Sequence, residues 1–79
     1  MKLTIISPER VVFEGNTDKV WVPGSKCPFE ILKGHAPIIS SLQQGDVGYV
    51  DAGTEKSISV KGGFVEVSNN EVVVCVELK

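Results

Sequence analysis

One histidine, two cysteines and no paired carboxylates leave this chain little material for catalysis. An enzyme needs a nucleophile beside a base, two acids working together, or several metal ligands in one place. Ser40 and Ser41 follow His35 within one segment, but no third residue completes a triad. Cys27 and Cys75 form no Cys-x-x-Cys pair and have no histidine at ligand spacing, so zinc is not expected. Nothing indicates an oxidising compartment, so no Cys27–Cys75 disulfide is expected either. Cys75, inside the apolar run Val72–Val76, reads as a small buried hydrophobe. No helical segment follows Gly62 and Gly63, which rules out a phosphate loop. The chain is therefore read as non-catalytic, with no metal or cofactor.

Other absences bound the partners. No stretch approaches the ~20 apolar residues of a membrane-spanning helix, and no basic segment followed by an apolar run opens the chain. A soluble, untargeted chain without direct membrane insertion is expected. The net charge is only −2 and mixed along the sequence, with no basic stripe, so nucleic acid is not an expected partner. At 79 residues there is room for one domain, residues 1–79, with one small core. A chain of this size buries only roughly 60–65% of the surface exposed on unfolding, which favours leaning on a partner.

No segment of ten or more residues sustains a helical period. What recurs instead is short alternation cut by glycine, proline or asparagine. Strands are expected over 2–7, 10–14, 17–22, 29–32, 36–42, 47–51, 56–61, 64–67 and 72–78. Val20 and Val22 face one way and Trp21 the other, with Trp21 leaning toward burial. Val47, Tyr49 and Asp51 share a face, and Gly48 in mid-strand signals a bulge or a close approach. Gly62 and Gly63 are expected to break a strand, and Asn69 and Asn70 to turn a hairpin. The pattern predicts an all-β protein, either an antiparallel two-layer β-sandwich or a small barrel.

Between Gly34 and Gly45 the chain carries no Asp, Glu, Lys or Arg. Gly34 can adopt a left-handed backbone, and Pro37 pushes Ala36 toward extended geometry, which sets His35 on a short corner. A run of this kind is either a core strand or the charge-depleted centre of a protein interface.

Several elements, in order along nearly the whole chain, carry a family resemblance. They are Ile6–Glu9 with Phe13–Gly15, Val20–Gly24, Gly34–Ile39 followed by Leu42 and Gly45, Gly62–Val67, and Asn70–Val76. Together they resemble the N-terminal β-domain of the epsilon subunit of the F-type rotary ATP synthase. The resemblance implies a β-sandwich of about ten short strands and a non-catalytic subunit clasping gamma and resting on the membrane rotor ring, which couples proton-driven rotation to ATP synthesis. It implies a gamma-facing surface at Ser7, His35, Ala36, Pro37 and Ser40, and a ring-facing loop at Lys26, Cys27, Pro28, Phe29 and Glu30. A peripheral position on the cytoplasmic face of the bacterial inner membrane follows from it. The alternative is a free-standing β-sandwich binding module unrelated to the synthase.

Two departures from the family pattern stand out. Cys27, Glu30 and Lys33 occupy positions where glycine, glycine and proline are frequent, so the ring-facing loop is expected to differ in shape and charge. The sequence also stops at Lys79, after its last strand, where the family commonly continues into an inhibitory helical hairpin. No hairpin-mediated inhibition is expected from these residues.

Overall fold

The alternation of Lys56–Lys61 and that of Phe64–Val67 belong to one strand. The computed structural model describes all 79 residues and contains eight strands and no helix. They are β1 (Lys2–Ile6), β2 (Val11–Asn16), β3 (Lys19–Val22), β4 (Phe29–Leu32), β5 (Ile38–Leu42), β6 (Gly45–Asp51), β7 (Thr54–Ser68) and β8 (Glu71–Leu78). Gly62 and Gly63 do not end β7; they bend it. Its register against β8 slips between Val60 and Gly62, which makes Lys61 the extra residue of a β-bulge. The inward phase changes with it: Val60 is buried before the bulge, and Val65 and Val67 after it.

The bend lets one strand serve two layers. The first half of β7 pairs with β6, and β3 and β4 follow outward; the second half pairs with β8 on one side and β5 on the other, with β1 and β2 beyond β8. The nine expected segments thus become eight strands, one of them counted in both layers. All pairings are antiparallel except β1 with β8. The all-β sandwich is as expected; that one parallel pair departs from a purely antiparallel reading. It arises because the first and last strands lie side by side, with the rest of the chain as the crossover a parallel pair requires.

Fourteen apolar side chains form the core between the layers, among them Leu3, Ile5, Val20, Val22, Ile31, Val47, Val65 and Val74. Val72, Val74 and Val76 all point inward from β8, which sits centrally between β1 and β7 as its apolar run predicts. The ring of Phe13 closes one margin, 4.5 Å from that of Tyr49. Thr17 is the buried polar side chain. Its Oγ1 accepts the Lys19 and Val50 N–H groups, each at 3.3 Å, and donates to the Lys19 carbonyl at 3.1 Å, so its burial leaves no polar atom unpaired.

Both tight turns use left-handed backbone. Asn69 (φ 52°) and Asn70 (φ 61°) turn β7 into β8, and Ala52 (φ 52°) with Gly53 (φ 79°) turns β6 into β7. Asparagine adopts this conformation at less cost than alanine does. Ala52→Asn is expected to raise unfolding free energy by about 1 kcal/mol. Gly63 is the opposite case. Its φ is +145°, and a Cβ there would lie 2.0 Å from the Cys75 carbonyl oxygen and 2.8 Å from Val76 Cα. Gly63→Ala should therefore cost about 3 kcal/mol through backbone strain and overpacking. Urea unfolding of the two variants checks both, and a neutral Gly63→Ala would show that the bend does not depend on this approach.

Candidate functional site

The charge-free stretch proves to be part core and part surface. Gly34 takes φ 83°, and the His35 N–H donates to the Leu32 carbonyl at 3.0 Å, closing the corner between β4 and β5. His35 Nδ1 lies 2.6 Å from the Ala36 carbonyl oxygen. A carbonyl can only accept, so this contact places the proton on Nδ1 and leaves Nε2 turned to other partners. The imidazole is half-buried, 6.5 Å from the Phe29 ring, while Ala36 and Pro37 are exposed. β5 begins at Ile38 rather than at Ala36. Along it Leu42 reaches the core and Ile38 and Ser40 are half-buried, whereas Ile39 is 72% exposed.

The loop after β3 lies against this strand. Ser25 N–H donates to the Ser41 carbonyl (3.0 Å), Gln43 N–H donates to the Pro23 carbonyl (2.8 Å), and the Ser41 hydroxyl donates to that of Ser25 (2.9 Å). Gly24 makes the fit possible: a Cβ there would lie 2.5 Å from the Cys27 carbonyl oxygen and 2.8 Å from the Phe29 ring. A groove of about 390 Å³ remains between Lys26, Cys27 and Phe29 on one side and Ile38 to Ser41 on the other. The structure thereby places the expected ring-facing loop directly beside the expected gamma-facing strand.

Within that loop the roles separate. Lys26, Cys27 and Pro28 are exposed, while Phe29 is half-buried and packs against the core. Glu30 turns to the outer face of the other layer, where its carboxylate lies 3.6 Å from Lys19 Nζ. Lys19 Nζ also stands 5.6 Å from the centre of the Trp21 ring. Trp21 is half-buried and lies flat on Gly48, where a Cβ would come within 1.8 Å of the indole. The mid-strand glycine signals this close approach.

Ser7 stands apart from the other expected gamma-facing residues. Its backbone N–H and its hydroxyl both donate to the Arg10 carbonyl, at 2.9 and 3.2 Å, in the turn between β1 and β2. Across the outer face the register runs Ser41, Phe64, Cys75, Ile6, Val11 on successive strands. Three strand spacings, roughly 14 Å, therefore separate β1 from β5. The outer side chains along this row and its neighbours include three that sequence reasoning missed: Ile39 on β5, Phe64 on β7 (45% exposed) and Val11 on β2 (58% exposed). The phase of Val65 and Val67 would have placed Phe64 outward.

Cys75 lies in the same row, so it is half-buried on the outer face rather than in the core. The inward phase of Val72, Val74 and Val76 forces it there. Burial, and then the nearby Glu66 carboxylate, push its thiol pKa up. Cys27 is exposed and also a free thiol. No three His, Cys, Asp or Glu side chains come together as a metal site. The arrangement offers shape, exposed apolar groups and backbone edges rather than reactive groups.

Known proteins are similar to this chain in fold and, in part, in sequence. The family profile described as the beta-sandwich domain of the ATP synthase Delta/Epsilon chain matches residues 1–78. The ATP synthase epsilon chain of Chlorobium limicola is 38% identical over 77 residues, covering 96% of this chain and 88% of that protein. That of Leptospira borgpetersenii is 40% identical over 72 residues, but this chain spans only 57% of its length. Among solved structures, a chain of the Euglena gracilis mitochondrial ATP synthase superposes with a TM-score of 0.86 at 17% identity, covering 94% of this chain and 48% of that one. A chain from the central stalk and c-ring of the Tetrahymena thermophila mitochondrial enzyme does so with a TM-score of 0.82 at 13% identity, covering 96% and 62%. Those identities speak for the fold alone; the family profile and the sequence relatives go further, and this chain belongs to the ATP synthase delta/epsilon β-sandwich family.

Proposed function

We propose that this chain is a non-catalytic, epsilon-type central-stalk subunit of an F-type ATP synthase, joining gamma to the membrane rotor ring so that rotation driven by protons reaches the catalytic head. The observation that carries the reading is the charge-free β5 edge with exposed Ile39 and the Lys26–Pro28 loop beside it, in a chain of this family. Relatives named as epsilon chains and structural neighbours described as central stalk and c-ring support it.

In this reading gamma meets His35, Ala36, Pro37 and Ser40 along the β5 edge and Ser7 across the outer face. The ring's polar loops meet Lys26 to Glu30. The β5 edge and the Lys26–Pro28 loop lie on one corner of a single packed body, with Ser7 across one outer face and Glu30 on the other, and the stiffness of that body transmits torque. Interiors at close-packed density have low compressibility, so displacement of one contact moves the other. No helix is long and apolar enough to cross a membrane. The subunit sits peripherally on the cytoplasmic face of the bacterial inner membrane.

Binding and folding are separable in this reading. His35→Glu and Ala36→Glu alter exposed or half-buried corner positions and should change unfolding free energy by no more than about 0.5 kcal/mol. In a desolvated contact the same charge has no partner, so affinity for gamma should fall at least about tenfold, equivalent to ~1.4 kcal/mol. Val74→Asp, at a fully buried position, should unfold the chain and lose binding only as a consequence. Thermal unfolding beside calorimetric titration with gamma decides it: corner variants that bind normally would move gamma elsewhere.

Regulation supplies a second test. The 79 residues, added to a synthase lacking this subunit, should restore ATP-driven proton pumping without ATP-relieved inhibition of hydrolysis. Strong inhibition relieved by ATP would overturn the view that inhibition needs residues outside this sandwich.

A further inference from the structure

The sandwich has four sheet edges, and three are guarded. β2 carries Glu14 and a bulge against β1, β4 carries Glu30, and the first half of β7 carries Glu55, Lys56 and Lys61. Charges and bulges of this kind keep a foreign strand from pairing. β5 has neither: its five residues are Ile38, Ile39, Ser40, Ser41 and Leu42, in unbroken register with β7.

Its edge is closed only at one end. The Ser25 N–H donates to the Ser41 carbonyl and the Gln43 N–H to the Pro23 carbonyl, so the backbone groups of Ser41 and Gln43 point away from β7. By the two-residue repeat of an antiparallel ladder, the N–H and C=O of Ile39 point the same way. No group of this chain bonds them, nor the Ser41 N–H. These three unmet groups face the groove of about 390 Å³ under the Lys26–Phe29 loop. Ile39, whose backbone is unpaired, is also the most exposed large apolar residue, at 72%.

Unpaired edge groups are harmless in water but costly once a partner excludes it. A surface that buries Ile39 must therefore supply a donor and an acceptor to its backbone, and an extended segment supplies both at strand spacing.

We propose that β5 receives a short extended segment of the neighbouring stalk subunit as an added strand, hydrogen-bonded to the backbone of Ile39 and the N–H of Ser41. The inference rests on the reading that the β5 edge faces that subunit. Pro23–Ser25 closes the edge beyond Ser41, so the segment spans about three residues. Its residue opposite Ile39 is not proline, since it must donate an N–H. Its groove-facing side chain is small or apolar to meet Ile38 and Phe29, and an acidic neighbour complements Lys26. A second copy of this chain does not fit, because its β5 carries the same Ser25–Cys27 wall along the same edge.

The test uses the ¹⁵N-labelled chain with unlabelled gamma. Amide exchange at Ile39 and Ser41 should be fast in the free chain and at least about a hundredfold slower in the complex, with cross-strand nuclear Overhauser contacts from both to gamma. Ile39→Pro, which removes the outward N–H at an edge where proline is tolerated, should weaken binding at least about tenfold while Ile39→Thr, which keeps it, weakens it less. Unfolding midpoints confirm that Ile39→Pro remains folded; should it unfold, exchange in the wild-type complex decides alone. If gamma binds and His35→Glu weakens it, yet the Ile39 and Ser41 amides exchange as in the free chain, strand addition is wrong and the interface reading stands. If gamma does not bind at all, both fail. Protection of these amides without gamma, in a dimer, would give the edge to a second copy and overturn the proposal.

Discussion

The rest of the structure depends on the close passage of Gly63 over the Cys75 carbonyl. With any side chain at Gly63 the backbone of β7 could not approach β8 there, and the strand could not bend from one layer into the other. Because β7 belongs to both layers, the layers are joined through hydrogen-bonded backbone as well as through the core. The one-residue bulge at Lys61 flips the inward phase at the same point, so each half of the strand points its valines into the shared interior. Small chains bury a modest fraction of their surface, and this continuity gives one core two walls without a linker between them.

The same economy shapes the candidate site. The backbone bonds between Pro23–Ser25 and Ser41–Gln43 fasten the two layers beside the β7 bend, where Leu42 pairs with Gly63, and Gly24 is bare because Cys27 and Phe29 crowd it. Phe29 anchors the loop while Lys26, Cys27 and Pro28 stay exposed. A loop tied at both ends to the sheet holds its exposed residues in fixed positions. Electrostatics contributes little to this framework. The ion pairs Lys19–Glu30, Lys56–Asp51 and Lys61–Glu77 all lie in solvent, where such pairs contribute ~0–1 kcal/mol.

Much of this was legible in the residues themselves. Strict alternation marked the half-buried strands, a valine-rich run marked the central one, and Asn69–Asn70 marked a turn, because each is a local rule about backbone conformation or side-chain phase. Gly48 announced a close approach, although only the structure names Trp21 as the ring that makes it. The ordered motifs from Ser7 to Val76 pointed to the family. The charge-free stretch stood out in the sequence, yet core and surface could not be told apart there, since a core strand and an interface both want apolar, uncharged residues.

Tertiary structure decided what local rules leave open. Whether Gly62–Gly63 ends a strand or bends it depends on β8 lying beneath it, a neighbour distant in sequence. Cys75 went outward because the valines on either side went inward, a choice made by packing and not by its own polarity. Edges are likewise a property of the assembled sheet: nothing local says that β5 lacks a second partner, or that the loop after β3 covers only half of it. The sequence determined which segments are strands and which family they belong to, through periodicity and ordered motifs. Only the three-dimensional pairing determined which backbone groups were left unmet at Ile39, because an unpaired edge is defined by the strand that is not there.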